Sequence, residues 1–427
     1  MINAALFHPI TTGRITLQHR VVLAPMTRIR ADELKLAPTE QTAAYYEQRA
    51  SAGGLLITEA VHISPEATPI WTIYQRVTEK GGQVPGIWTE TQMEAWRAVV
   101  ARVHAKGGRI ICQLLHTGRV AQPEIAQHPL VKGTDAPLPP VSSSATAIEA
   151  SNETGNQYNW DKGATLPRAL PIDEIPRLIA DYRHAAFLAR RAGFDGVELH
   201  AAHGYLIEQF MNDGVNQRSD RYGGRLENRC RLLFDVVAAL VDEMGPGRVG
   251  VRLSPTHLDP ETGHSRQVYF GVRDGDPLAL YTHAVEGLNA FPLAYLMLTE
   301  PRVGGLSQSP EAEDAYRHPM RNRGYRDLYD GVLIGAGGFT PSTATAAVAD
   351  GSYDLIAFGR WFLSNPDLPE RLRQGADLTV YERETFYGAG AEGYIDYPNL
   401  EQGPGRFTTM PQSQIGGSLR CNRPVTT

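Results

Sequence analysis

The chain has 427 residues, 42% of them hydrophobic, and a formal net charge of −6 at neutral pH. That apolar share suffices for a large core, while the acidic balance offers no footprint for nucleic acid or an anionic membrane, so small-molecule chemistry is the expectation. Cys112, Cys230 and Cys421 are scattered without metal or redox spacing, which argues against a secreted disulfide scaffold.

The opening M-I-N-A-A-L-F-H-P-I has neither a basic region nor a sustained apolar one, and no run in the chain approaches membrane-spanning length. A cytoplasmic protein, monomer or homodimer, is expected. Leu6 to Val22, with turn residues Thr12 and Gly13, predicts a hairpin. Apolar runs of strand length then recur at Val21 to Ala24, Leu55 to Thr58, Arg109 to Leu114, Gly196 to His200, Val249 to Leu253, Ala294 to Leu298, Val332 to Gly335 and Leu355 to Phe358. Helix-period segments lie between and after them: Thr39 to Ala50, Thr89 to Lys106, Ile172 to Ala192, Leu226 to Glu243, Leu278 to Leu288, Arg321 to Tyr329, Pro341 to Asp350 and Pro369 to Gln374. Strand followed by helix, repeated this way, predicts an α/β fold: a single (β/α)₈ TIM barrel over residues 1–400, its floor closed by the hairpin. Helix-to-strand connections are short. Strand-to-helix connections are long at Val61 to Trp88, Leu115 to Pro171, Ser254 to Pro277 and Thr299 to Met320, so the site is expected on the C-terminal face. Leu115 to Pro171, rich in Pro and Ser, reads as a lid. The tail 401–427 is polar and expected to be loosely held.

One strand end stands out. Gly196 to Leu206 reads G-V-E-L-H-A-A-H-G-Y-L, so Glu198 and His200 share a face and His203 and Tyr205 follow at once. Two imidazoles there can hold a carbonyl or nitro oxygen, with a phenol beside them to give a proton. A structural histidine and a zinc site are the competing readings, but no further ligand motif accompanies His200 and His203. The runs G-A-G-G-F (Gly335 to Phe339) and F-G-R (Phe358 to Arg360) end the seventh and eighth strands, where such barrels often bind phosphate. Pro25, Met26 and Thr27 follow the first strand, Gln113 ends the third, and Arg252 lies in the fifth. Taken singly, Thr27 is equally a cap, Gln113 a core amide and Arg252 half of an ion pair. Converging at one mouth, they describe a site for a flat, phosphate-bearing heterocycle with amide edges, namely FMN.

The motifs L-A-P-M-T-R (Leu23 to Arg28), Q-L-L-H-T-G-R (Gln113 to Arg119), V-E-L-H-A-A-H-G-Y-L (Val197 to Leu206) and N-Q-R-S-D-R-Y-G-G-R-L-E-N-R (Asn216 to Arg229) are joined by V-R-L-S-P (Val251 to Pro255) and F-Y-G-A-G-A-E-G-Y-I-D-Y-P (Phe386 to Pro398). With them the chain resembles the Old Yellow Enzyme family of FMN-dependent ene-reductases from about Leu6 to Leu400. The resemblance implies that Thr27, Gln113 and Arg252 hold the flavin ring, lined by Pro25, Met26 and Ala60, and that Gly337, Gly338, Gly359 and Arg360 hold its phosphate. His200 and His203 would bind the substrate oxygen, Tyr205 would donate the proton and Tyr387 would edge the pocket, with NADPH or NADH as reductant and no metal. Thr27 places the chain nearer the classical branch. The His200/His203 pair resembles members that also reduce nitro compounds and nitrate esters, so an electrophilic alkene or a nitro compound is the expected substrate. Nitro reduction, isomerisation on a specialised biosynthetic substrate, a flavin-binding protein without turnover, and a flavin-free metal-dependent lyase or hydrolase using His200 and His203 remain the alternatives. Leu115 stands where many relatives carry Trp, and Ile70 to Val84 looks like an insertion. The run Arg218 to Arg231 contains Asp220 and Glu227 and reads as internally paired.

Overall fold

The computed structural model describes residues 3–69, 82–138, 140–148, 165–258, 265–266, 269–300 and 322–415. Eight parallel strands form its centre: β1 (Val21–Leu23), β2 (Leu55–Ile57), β3 (Arg109–Leu115), β4 (Gly196–His200), β5 (Val249–Leu253), β6 (Tyr295–Thr299), β7 (Leu333–Ala336) and β8 (Leu355–Phe358). Each pairs with the next in order, and β8 pairs back onto β1, which closes the barrel. These runs are apolar almost throughout because both faces are covered. Val22, Leu55, Ile57, Ile111, Met297, Ile334 and Leu355 pack together inside the barrel. Their alternating neighbours, among them Val21, Leu56, Ile110, Val197, Leu199 and Ile356, pack outward against the helices.

The outer ring consists of α1 (Glu40–Arg49), α2 (Glu90–Ala105), α3 (Ile175–Ala192), α4 (Arg231–Met244), α5 (Pro277–Leu288), α6 (Pro341–Ala349) and α7 (Leu368–Gln374). Thr39, Thr89 and Thr340 open α1, α2 and α6 with reciprocal capping boxes, satisfying amides that helix geometry leaves unpaired. Gly193 ends α3 at φ 94°, a left-handed C-cap suited to glycine.

The hairpin Ile10–Thr12 with Ile15–Leu17 seals the floor. Ile15 and Leu17 join the apolar cluster inside the barrel, and Thr12 Oγ1 donates to the Ala294 carbonyl at 2.5 Å. Gly13, at φ 54°, lies against Gly247, whose carbonyl oxygen would be 2.3 Å from an added Cβ. Three expectations are corrected. The segment predicted as a helix from Arg321 to Tyr329 is, over its described part, a 3₁₀-helix, Asn322–Leu328, with Gly324 in its middle. The helix expected over Leu226 to Glu243 is two, Leu226–Arg229 and Arg231–Met244, separated at Cys230. The tail is docked as far as Ile415: Thr409 and Met410 pair with Thr379 and Leu378, and Phe407 packs its ring 4.7 Å from Tyr397. Spaced apolar residues within a polar composition supply that anchorage. The segment 70–81 of the expected insertion and the middle of the expected lid, 149–164, lie outside the described residues.

Candidate active site

Because all eight strands run the same way, every residue singled out at a strand end comes to the same mouth. Thr27 and Ala60 follow β1 and β2, Gln113 and Arg252 lie near the ends of β3 and β5, His200 ends β4, and Gly337 and Gly338 follow β7. Gly359 and Arg360 follow β8, and a Cβ on Gly359 would lie 3.3 Å from Met26 Sδ, so the ends of β8 and β1 meet.

The register explains the polar layer. Gln113 stands beside Glu198, and Arg252 beside His200. Gln113 Nε2 donates to Glu198 Oε1 at 2.6 Å, and Arg252 Nε donates to Thr299 Oγ1 at 3.1 Å. Glu198 is fully buried, and burial raises its pKa while the nearby Arg252 charge lowers it. The ion-pair reading of Arg252 is thus met in part: Glu198 is its main electrostatic support, without a direct salt bridge among the described residues.

The His/His/Tyr cluster is made by a sharp turn. His203 adopts φ 58° and Gly204 φ 75°, a left-handed pair that folds the chain back after β4. Only glycine fits at 204, since an added Cβ would lie 2.4 Å from the Tyr269 carbonyl oxygen. The less favourable backbone at His203 is compensated locally: its N–H donates to Ser254 Oγ at 2.8 Å, and Ser254 Oγ donates to Glu208 Oε1 at 3.0 Å. Glu208 also accepts the Gly204 N–H and the Tyr281 hydroxyl. As a result the His200 ring centroid lies 5.2 Å from that of His203 and 5.1 Å from that of Tyr205. Tyr269 packs edge-on at 4.8 Å from His203, and Phe270 lies 5.5 Å from Tyr205.

Burial, and after it the Arg252 charge, holds both imidazoles well below the usual histidine range, so both are neutral. His200 Nδ1 accepts the Ala202 N–H at 3.3 Å, which leaves the proton on Nε2. Burial pushes the Tyr205 phenol upward, with a further contribution from Tyr387, which stands within electrostatic reach. Tyr387 is itself pushed up to about 12 by burial.

Several polar atoms at the mouth have no protein partner among the described residues. His203 Nε2 is buried and unpaired, and the Arg252 hydrogen bond uses Nε alone. Gly337 and Gly338 adopt φ 98° and 67° ahead of α6, leaving backbone without side chains there. Arg360 Nη1 donates to the Tyr381 hydroxyl at 3.2 Å. A planar ring with amide edges and a phosphate tail fits this donor set. Among the described residues no third His, Cys, Asp or Glu joins His200 and His203 in a group able to hold a metal ion.

Glu198, Glu208, Tyr269 and Phe270 belong to the site's architecture and were not assigned to it from sequence. Strand alternation had placed Glu198 on the His200 face. Glu208 lies in an apolar helical stretch, and the two aromatics sit in a loop without periodicity. Of the basic run, Arg218 pairs with Asp220 within the run, as expected, whereas Arg229 pairs with Asp274 outside it, so the run is internally paired only in part. No helix among the described residues is long and apolar enough to cross a membrane.

A sequence profile described as the NADH:flavin oxidoreductase / NADH oxidase family matches residues 5–379. The chain is 42% identical over 412 residues to 12-oxophytodienoate reductase 2 of Arabidopsis thaliana, spanning 94% of this chain and 99% of that protein. It is 42% identical over 419 residues to 12-oxophytodienoate reductase 7 of Oryza sativa subsp. japonica, spanning 95% and 97%. A solved structure of morphinone reductase in complex with tetrahydroNAD superposes with a TM-score of 0.75 at 40% identity, covering 92% of this chain and 97% of that one.

Proposed function

The chain belongs to the NADH:flavin oxidoreductase / NADH oxidase family, the Old Yellow Enzyme family, and from that premise we propose that it reduces the activated C=C bond of α,β-unsaturated carbonyl compounds. It is an FMN-dependent oxidoreductase with a nicotinamide reductant. The observation that carries the substrate reading is the left-handed turn at His203 and Gly204, which gathers two neutral imidazoles and a phenol beside Arg252. The similarity to reductases named for 12-oxophytodienoate and morphinone supports it.

FMN, when bound, supplies the hydride that it takes from NAD(P)H. Thr27, Gln113 and Arg252 would hold its ring, with Pro25, Met26 and Ala60 lining it, and Gly337, Gly338, Gly359 and Arg360 would hold its phosphate. His200 donates from Nε2 to the substrate carbonyl oxygen, and His203 gives a second N–H to the same atom. Two preorganised donors draw density from the conjugated alkene and leave its β-carbon electrophilic. Tyr205, kept as a neutral phenol by burial, protonates the α-carbon, and Tyr387 edges the pocket.

The same pair of donors suits the two oxygens of a nitro group, which is the second reading. Anaerobic incubation with NADPH and either cyclohexenone or a nitroaromatic separates the two. Saturated ketone as the faster product supports alkene reduction; an amine or hydroxylamine as the sole product contradicts it.

A further inference from the structure

We propose that His62 is a second polar anchor in the substrate pocket, accepting at Nε2 a hydrogen bond from a hydroxyl or N–H group that the electrophilic alkene carries besides its carbonyl. The proposal rests on the alkene-reductase reading above and names a substrate class within it.

The short strand Val61–His62 pairs in parallel with the end of β3, Val61 beside Leu114 and His62 beside Leu115. Val61, Ile63 and Leu114 all pack outward in the cluster beneath the helices. Alternation therefore turns His62 to the other side, the side of Gln113 and Leu115 that faces the mouth. In keeping with that placement, His62 is near enough to His200 for a charge on one imidazole to bear weakly on the other.

The hydrogen-bond state of the ring follows from its partner. His62 is 1% exposed, and its Nδ1 lies 3.2 Å from the Pro85 carbonyl oxygen. A carbonyl only accepts, so Nδ1 carries the proton and Nε2 presents a lone pair. That Nε2 is buried and has no hydrogen-bond partner among the described residues. Burial pushes the pKa of the ring down to about 3, so protonation does not fill the gap at physiological pH. His116 does not answer it. Its Nδ1 accepts the Gly118 N–H at 3.0 Å, which leaves its proton on Nε2, 3.7 Å from Glu66 Oε2. Leu115, the neighbour in register, has no donor in its side chain. A buried acceptor left unmet is costly, and it discriminates in favour of a ligand that brings a donor.

The test compares cyclohexenones hydroxylated at each saturated ring carbon with their O-methyl ethers, using FMN-loaded enzyme. The readouts are kcat/KM with NADPH and Kd by calorimetric titration of the oxidised enzyme. Wild type is expected to favour at least one hydroxylated isomer over its ether by roughly 10-fold. His62→Phe is expected to bring that ratio close to one, and His62→Gln, which keeps an acceptor, to retain part of it. FMN content and bleaching by NADPH report whether each variant is intact. A wild type without preference for any hydroxylated isomer, or a preference that survives undiminished in an intact His62→Phe, overturns the proposal. Failure of FMN-loaded wild type to reduce even unsubstituted cyclohexenone would instead remove the alkene-reductase reading, and the proposal with it.

Discussion

Along β5, Gly250 lies two residues below Arg252; along β6, Tyr295 and Met297 lie below Thr299; and the floor beneath them is closed by Ile15 and Leu17. The lower positions form a largely apolar plug in which shape decides: Gly250 leaves room for the Tyr295 ring, 2.4 Å from where a Cβ would stand, and the two layers meet where the Tyr295 hydroxyl comes within reach of Glu198. The upper positions carry Gln113, Glu198, His200 and Arg252, all buried and only partly satisfied by one another. One set of strands thus serves two ends. Below, burial of apolar surface yields stability without chemistry; above, polar groups are withdrawn from water and left with valences that a ligand completes.

Substitutions above and below should separate cleanly. Tyr205→Phe is expected to slow reoxidation of the reduced enzyme by cyclohexenone by about 10²- to 10⁴-fold, with FMN content and reduction by NADPH kept. Stopped-flow absorbance resolves the two half-reactions, and an unchanged reoxidation rate would remove the proton from Tyr205. Leu17→Ala, in the floor, is expected to cost about 2–5 kcal/mol in urea unfolding while turnover per bound FMN stays close to wild type. A large loss of turnover in folded Leu17→Ala would break the division between the two halves.

A smaller effect sharpens it. Glu208 braces the turn that carries His203, and burial raises its pKa from 4.5 to about 7 against hydrogen bonds from Tyr281, Gly204 and Ser254. A carboxyl raised in this way stabilises the fold fully below its unfolded pKa, and that contribution is lost as pH rises through 7. Between pH 5 and 8, wild type should therefore lose stability relative to Glu208→Gln, by at most about 3 kcal/mol. A difference that stays constant across that range would show Glu208 to be ionised throughout. Arg183→Ala, which removes an exposed pairing with Asp242, should change stability by no more than about 0.5 kcal/mol.

The barrel was legible in the sequence because its strands are buried on both faces and stand out as apolar runs between glycines and helical stretches. His200, His203 and Tyr205 were legible because they leave a single strand end together. Other features depend on distant partners. Glu208 looks like one more polar residue of a short helix until Tyr281 and Ser254 are brought to it. Tyr269 and Phe270 belong to a loop whose path is set by tertiary contacts, and local pattern does not encode that. The docking of Thr409 and Met410 depends on pairing with a strand some thirty residues earlier, Leu378–Thr379. That the lone pair of the His62 ring sits on Nε2 follows from where Pro85 lies, which composition and spacing do not reveal.

The central claim is that the polar upper half of the barrel holds FMN and passes hydride to an activated alkene. Anaerobic absorbance of the purified, FMN-loaded protein tests it most directly. The flavin band should bleach on adding NADPH or NADH and return on adding cyclohexenone, with one cyclohexanone formed per flavin reoxidised. A protein that stays colourless when offered FMN, or a bleached flavin that cyclohexenone leaves bleached, would contradict it.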